Sequence, residues 1–188
     1  GVTFHDGTIL NARAVRENFD RQFRPNHPLY SKEPGNTKEQ LLTQLIDSIE
    51  VRDDLTVAFK LKYPGLHYLS QIEIASPTAL AKLGKEFARA PAYTGPFRFD
   101  RWEKDRLILV ANDRCWAGRP KLDQVVFQFI PGGEALVEAM VKGGVDFSPV
   151  LPEPTLFERL RDDSRITLVQ VPSLNVFYLG FYAERAPL

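Results

Sequence analysis

The sequence predicts a mixed α/β fold: a mixed sheet with a crossover helix, beside a smaller α+β subdomain. Three observations predict it. Apolar residues recur at helical spacing before residue 50, they alternate at strand spacing after Tyr93, and a strand, helix, strand order runs from Val125 to Phe147. The change of character near Pro91–Tyr93 places a boundary there, giving a subdomain over 1–92 and a sheet domain over 93–188.

Taken in order, Asn11 is placed to cap a helix over 12–23, where Val15, Phe19 and Phe23 form one apolar stripe. The segment Arg24–Asn36, rich in Pro, Asn, Gly and Ser, reads as a loop. Thr37 followed by Gln40 is a capping-box pattern opening a second helix, with Leu41, Leu42, Leu45 and Ile46 on its buried face. Ile49–Val51 and Thr56–Lys62 flank Asp53-Asp54 as a hairpin with one wet face. Ser76-Pro77 opens a short helix that Gly84 can close. Phe97–Trp102 and Arg106–Ala111 make a second hairpin about Glu103-Lys104-Asp105, and Asn112–Asp123 is a loop. Val125–Ile130 is an apolar strand that Pro131-Gly132-Gly133 turns into a helix bearing Leu136, Val137, Met140 and Val141. Gly143-Gly144 ends that helix, and Val145–Phe147 reads as the next strand. That order implies a right-handed crossover between parallel strands. A short helix carries Leu156, Phe157 and Leu160, and strands over Ile166–Val171 and Asn175–Tyr182 complete the chain.

Composition narrows the function classes. At 188 residues the chain is large enough for a real core. Lys plus Arg balance Asp plus Glu at 24 each, with no basic stripe, so no nucleic-acid partner is expected. No apolar run approaches the ~20 residues that span a bilayer. The single cysteine, Cys115, allows neither an internal disulfide nor a zinc site of its own. The N-terminal GVTFHDGTIL has no basic region or long apolar region, so it is not a signal peptide. Both ends read as cut, as in a piece of a longer protein.

Catalytic and metal motifs are absent: no G-x-S-x-G elbow, no Walker A sequence, no H-E-x-x-H. His5, His27 and His67 are too scattered for a local metal motif; His5 sits in a turn beside Asp6 and His27 in a solvated loop. Asp53-Asp54 reads as a polar hairpin turn rather than a catalytic pair, and Gly132-Gly133 as a strand-to-helix turn rather than an anion cradle. Cys115 beside Trp116 reads as a small packed hydrophobe. No catalytic residue, metal site or cofactor is expected.

Several separated segments carry a resemblance. They are GVTFHDGTILNARAVRENFDR, IEVRDDLTVAFKL, TGPFRFDRWEKDRLILVAND, CWAGRPKLDQVVFQFIP, VKGGVDFSPVLP and NVFYLGFYAERAPL. In this order and spacing the chain resembles the bacterial extracellular solute-binding proteins of family 5, the dipeptide, oligopeptide and nickel-binding group of ABC importers. Cys115 stands where the family usually has Tyr, Tyr182 where it usually has Asn, and the 24–36 loop matches no family pattern. The resemblance implies a partial fold like that of the type II periplasmic binding proteins. Residues 1–92 would be the small subdomain of the first lobe, and 93–188 the central part of that lobe's sheet domain, ending near the hinge.

The resemblance also implies the function and its residues. In the family the last strand borders the ligand cleft, which puts Tyr178, Gly180 and Tyr182 at candidate ligand-binding positions. Strand alternation places these three with Val176 on one face, whose other reading is a half-exposed aromatic strand face. The implied role is extracytoplasmic capture of a peptide or other small solute for a membrane permease. Glutathione, opines, sugars and nickel chelates are alternative ligands, and a solute-sensing domain of a transcription regulator is an alternative role. Because the family's second lobe is missing, the isolated chain is expected to hold no solute tightly. It is also expected to self-associate through apolar residues such as Phe127 and Phe129.

Overall fold

The computed structural model describes residues 1–24, 26–30, 44–65, 73–149 and 154–169, which fall into two compact units, Gly1–Phe129 and Ile130–Leu188. In the first unit, helix α1 spans Ala12–Phe23. The Asn11 side chain accepts from the Ala14 N–H at 2.9 Å, so the expected cap is the one that forms. Strands β1 (Ile46–Val51) and β2 (Val57–Leu61) pair antiparallel, with Ile49 opposite Phe59 and Val51 opposite Val57. Asp53 closes their turn by accepting from the Leu55 N–H at 2.8 Å. Phe19 of α1 meets Phe59 edge to face at 4.8 Å, and Val15, Ile46, Ile49, Leu61 and Ile74 complete this cluster.

Helix α2 (Pro77–Leu83) begins with Ser76, whose hydroxyl accepts from the Ala79 N–H, and ends at Gly84 with φ of 52°. A 3₁₀ turn over Gly84–Arg89 follows and brings Phe87 into a second cluster with Ala75, Ala79, Leu80 and Ala92. Asn18 joins the two clusters. It is fully buried and bonds the backbone of residue 75 from both ends of its amide: Nδ2 donates to Ala75 O at 2.8 Å, and Oδ1 accepts from Ala75 N–H at 3.0 Å.

Strands β3 (Phe97–Trp102), β4 (Arg106–Ala111) and β5 (Gln124–Gln128) form an antiparallel sheet in that order. Residue 92 lies within the first unit. The His5 N–H donates to Tyr93 O at 2.8 Å, and the Ser76 N–H donates to Ala92 O at 2.9 Å. One sheet face carries Trp102, Leu107 and Phe127 in register, with Trp102 stacked on Phe129 at 6.0 Å. Phe127 and Phe129 are 52% and 58% exposed, so this apolar face is half open to solvent.

In the second unit, helix α3 (Gly133–Val141) packs on helix α4 (Pro154–Arg161). Val137 and Leu160 are fully buried, and Arg159 pairs with Glu134 at 2.6 Å.

Several expectations are corrected. Ile46 opens strand β1 instead of continuing a helix: pairing with Leu61 outweighs the helical spacing of the run that precedes it. The remainder of that helix, 37–43, lies outside the described residues. Val145–Phe147 is not a strand, and every strand pairing among the described residues is antiparallel, so the expected parallel crossover after β5 is not seen among them. A three-residue run holds strand geometry only through ladder bonds. Among the described residues it has none, and Phe147 is 78% exposed. Ile166–Val169 likewise joins no strand among the described residues, and the rest of that expected strand, 170–171, lies outside them.

Candidate functional site

The N-terminal turn forms one side of a concave surface among the described residues. Thr3 bridges Ile9, and Gly7 takes φ of 85°, which the reversal over Phe4–Thr8 requires. Asp6 anchors this turn. One carboxylate oxygen accepts from the Thr8 N–H at 3.0 Å and its hydroxyl at 2.6 Å, and the other accepts from the Ser76 hydroxyl. Desolvation pushes the Asp6 pKa up, but these bonds outweigh it and hold the carboxyl below its ordinary value. Ser76 thereby serves both the turn and the start of α2.

His5 is tied to the segment ahead of β3. The Tyr93 N–H donates to His5 Nδ1 at 3.3 Å, which leaves the proton on Nε2 to be donated to Gly95 O at 3.0 Å. Asn112 reaches the same carbonyl, with Nδ2 donating to Gly95 O at 3.0 Å, while its Oδ1 accepts from the Arg114 N–H at 3.1 Å. His5 and Asn112 are therefore clamps that bring three segments to one place. Between them lies an open cleft of about 350 Å³, lined by Thr3–Gly7, Arg98 and Asn112–Arg114.

The charges of the cleft are unequally engaged. Asp113 accepts from Arg119 at 2.8 Å, and Arg119 also pairs with Asp123. Arg98 and Arg114 are exposed and make no ion pair among the described residues. Sequence reasoning missed this pair. The signal available was the hairpin register: Arg98 stands opposite Val110, so the chain leaving β4 must return Asn112–Arg114 to the start of β3.

Tyr178, Gly180 and Tyr182, the positions singled out from the sequence, lie outside the described residues, as does His67. His27, expected to be solvated, is corrected. Its side chain is only 11% exposed, it pairs with Glu17 at 2.8 Å, and it accepts from the Leu29 N–H. Helix α1 supplies Glu17 at the distance the returning loop needs, which the loop's composition did not disclose. Asp53-Asp54 is the turn expected, with Asp54 O accepting from the Ala12 N–H at 2.8 Å. Gly132, at φ of 83°, turns the chain into α3 and makes no side-chain cap. Cys115 is half-buried and reduced, while Trp116 is 69% exposed. No group of His, Cys, Asp and Glu suited to a metal occurs among the described residues, and no described helix is long and apolar enough to cross a membrane.

The sequence profile of the bacterial extracellular solute-binding proteins, family 5 Middle, matches residues 1–188. The chain belongs to this family. It is similar to the glutathione-binding protein GsiB of Pectobacterium atrosepticum, at 32% identity over the whole chain and 36% of the relative. It is also similar to the dipeptide-binding protein of Escherichia coli, at 31% identity and 39% of the relative's length. The chain thus spans little more than a third of these family members. Among solved structures, the periplasmic binding protein DppA of Helicobacter pylori, in complex with the peptide STSA, superposes with a TM-score of 0.72. That match is at 28% identity and covers 87% of this chain and 36% of the other. HbpA2 of Haemophilus parasuis, at 22% identity, shares the fold with a TM-score of 0.76. The α/β solute-binding fold expected from the sequence is borne out, as part of a larger fold.

Proposed function

We propose that the chain is part of the substrate-binding component of an ABC importer, which captures a peptide or related small solute outside the cytoplasm and presents it to a membrane permease. The match of a solute-binding family across all 188 residues carries this reading. The relatives named for glutathione and dipeptides, and the neighbour holding the peptide STSA, favour peptide-like ligands over other solutes. The role is binding rather than catalysis, because the family and these relatives are named as binding proteins. Closure of two lobes on the solute would be driven by its tighter binding to the closed state.

Tyr178, Gly180 and Tyr182 are proposed to border the solute cleft, the two phenols packing on the ligand and Gly180 leaving its backbone open to it. The division near residue 92 is proposed at the level of sheets, with the β1–β2 hairpin before it and the β3–β5 sheet after it. The half-open face bearing Trp102, Phe127 and Phe129 is proposed to pair with a second copy of the isolated chain. Calorimetry of the full-length protein with dipeptides and glutathione tests the main reading. Saturable binding of either supports it, and Tyr178→Ala should then weaken binding by about 1–3 kcal/mol. Absence of binding to any peptide would overturn the peptide assignment, and an unchanged dissociation constant in Tyr178→Ala would place that residue in the scaffold.

A further inference from the structure

We infer that His5 is an acid-sensitive latch between the N-terminal turn and the segment leading into β3, closed while its ring is neutral and loosened when the ring takes up a proton. The neutral ring is gripped at both ends. The Tyr93 N–H donates to Nδ1 at 3.3 Å, and Nε2 donates to Gly95 O at 3.0 Å. A protonated imidazole is a donor at both nitrogens. Its Nδ1–H would meet the Tyr93 N–H donor against donor, and that bond is lost. Turning the ring over brings no relief, because carbon then stands where each nitrogen stood and the bond to Gly95 O goes as well. Two backbone bonds outlast the latch: the His5 N–H donates to Tyr93 O at 2.8 Å, and the Ser76 N–H to Ala92 O at 2.9 Å. Protonation therefore loosens this joint locally and leaves the unit folded.

The charges around His5 do not offset the loss. Asp6 belongs to the same turn, Arg98 to β3, and Asp113 and Arg114 to the stretch after β4; all four line the same cleft as His5. Two carboxylates against two guanidiniums give an imidazolium no net countercharge. Both carboxylates are also engaged, Asp6 by Ser76 and Thr8 and Asp113 by Arg119. The Tyr93 phenol is neutral at these pH values, since burial pushes its pKa above the ordinary one. His27 supplies the contrast. Its Nδ1 accepts from the Leu29 N–H at 3.1 Å, as His5 accepts from Tyr93, but its Nε2 faces the Glu17 carboxylate at 2.8 Å. The nearby Arg24 is paired with Asp20. Protonating His27 costs the Leu29 bond and turns the Glu17 contact into an ion pair, and charge-assisted bonds are the stronger kind. Two histidines with the same grip thus answer acid differently, because one donates to a carbonyl and the other to a carboxylate.

Hydrogen exchange of the full-length protein tests the latch, read by mass spectrometry between about pH 7.5 and about pH 5.5, where histidine ordinarily changes charge. After correction for the intrinsic pH dependence of amide exchange, opening over residues 3–8 and 92–97 should rise about fivefold on acidification, the size of one lost hydrogen bond. Over residues 26–30 it should change by less than about twofold, the Glu17 ion pair offsetting the loss. Two variants remove the titrating ring. In His5→Asn the amide oxygen stands near the place of Nδ1 and can accept from Tyr93 at any pH; in His5→Gln the amide nitrogen stands near that of Nε2 and can donate to Gly95 O. The acid response should vanish in both. The inference is overturned if the parent's exchange over 3–8 and 92–97 is flat with pH, or if either variant keeps the parent's response. It is overturned as well if His27→Gln abolishes that response, since His27 would then be the group that acid acts on. Asp6 cannot supply the effect, because its carboxyl takes up a proton only below about pH 4.

Discussion

Within the first unit, the helical part and the three-stranded sheet are held by opposite means. Between α1 and α2 the buried polar groups Asn18 and Ser76 are fully enclosed and bonded to backbone or carboxylate partners. Around them Phe19, Leu80 and Phe87 are buried as well. In the sheet, Ile108 and Ala111 are buried, but Val126, Phe127 and Trp102 each keep 44% or more of their surface in water. Polar groups enclosed with every bond made specify one arrangement, because any shift would strand them. An apolar face half open to water specifies nothing until something covers it. The helical part is therefore expected to respond to mutation as loss of stability, and the open sheet face as a change in association.

The largest effect should come from Phe19→Ala. Removing an aromatic side chain that is 2% exposed and meets Phe59 edge to face should cost about 3–5 kcal/mol, read as a lower urea midpoint. A loss under about 1 kcal/mol would mean that the α1–hairpin cluster is not part of the cooperative core. Next, Asn18→Leu keeps the volume but strands the N–H and C=O of Ala75. A cost of about 2–4 kcal/mol is expected from two unsatisfied buried backbone groups. A stable Asn18→Leu variant would show that water or a shifted backbone can replace the clamp. On the sheet, the pair Phe127→Ser and Phe129→Ser should change the urea midpoint little but lower the apparent mass in light scattering at high concentration. If the parent chain scatters as a monomer, the open face is not a self-association surface.

The same contrast explains what could be read in advance. Asn11, Ser76-Pro77, Asp53-Asp54 and the Glu103–Asp105 turn were legible because each acts on backbone within a few residues of itself. Asn18 was not, because its partner is 57 residues away and nothing in the α1 pattern marks it. Ile46 was misplaced for a related reason: the apolar spacing of 41–46 suits a helix, and only the distant Leu61 makes it a strand. Arg98 and Arg114 each look like ordinary surface charge in the sequence, and only the β3–β4 register brings them to one cleft. The family was legible because its segments, individually weak, recur in one order across the chain.

The smallest effect concerns Asp6, which links the N-terminal turn to the start of α2 and so tests whether that joint contributes to stability. Desolvation acts to raise its pKa, the bonds from Ser76 and Thr8 lower it by more, and the net folded value is below the ordinary 3.8. A carboxylate with a depressed folded pKa adds stability that is present in full above the unfolded value and fades as pH falls through the folded one. The contribution should thus be intact at neutral pH and disappear below about pH 4, where unfolded chains take up the proton first. Its size is modest because the residue is largely exposed. Asp6→Asn should accordingly lower the urea midpoint slightly at pH 7 and flatten the fall in stability between pH 4 and lower values. Ser76→Ala should reproduce part of that flattening, since Ser76 donates to one of the two carboxylate oxygens. It should also cost about 1 kcal/mol more than Asp6→Asn at all pH values, because it removes the α2 cap as well. Identical acid profiles for the parent and Asp6→Asn would show that the Asp6 carboxylate adds nothing to the joint between the N-terminal turn and α2.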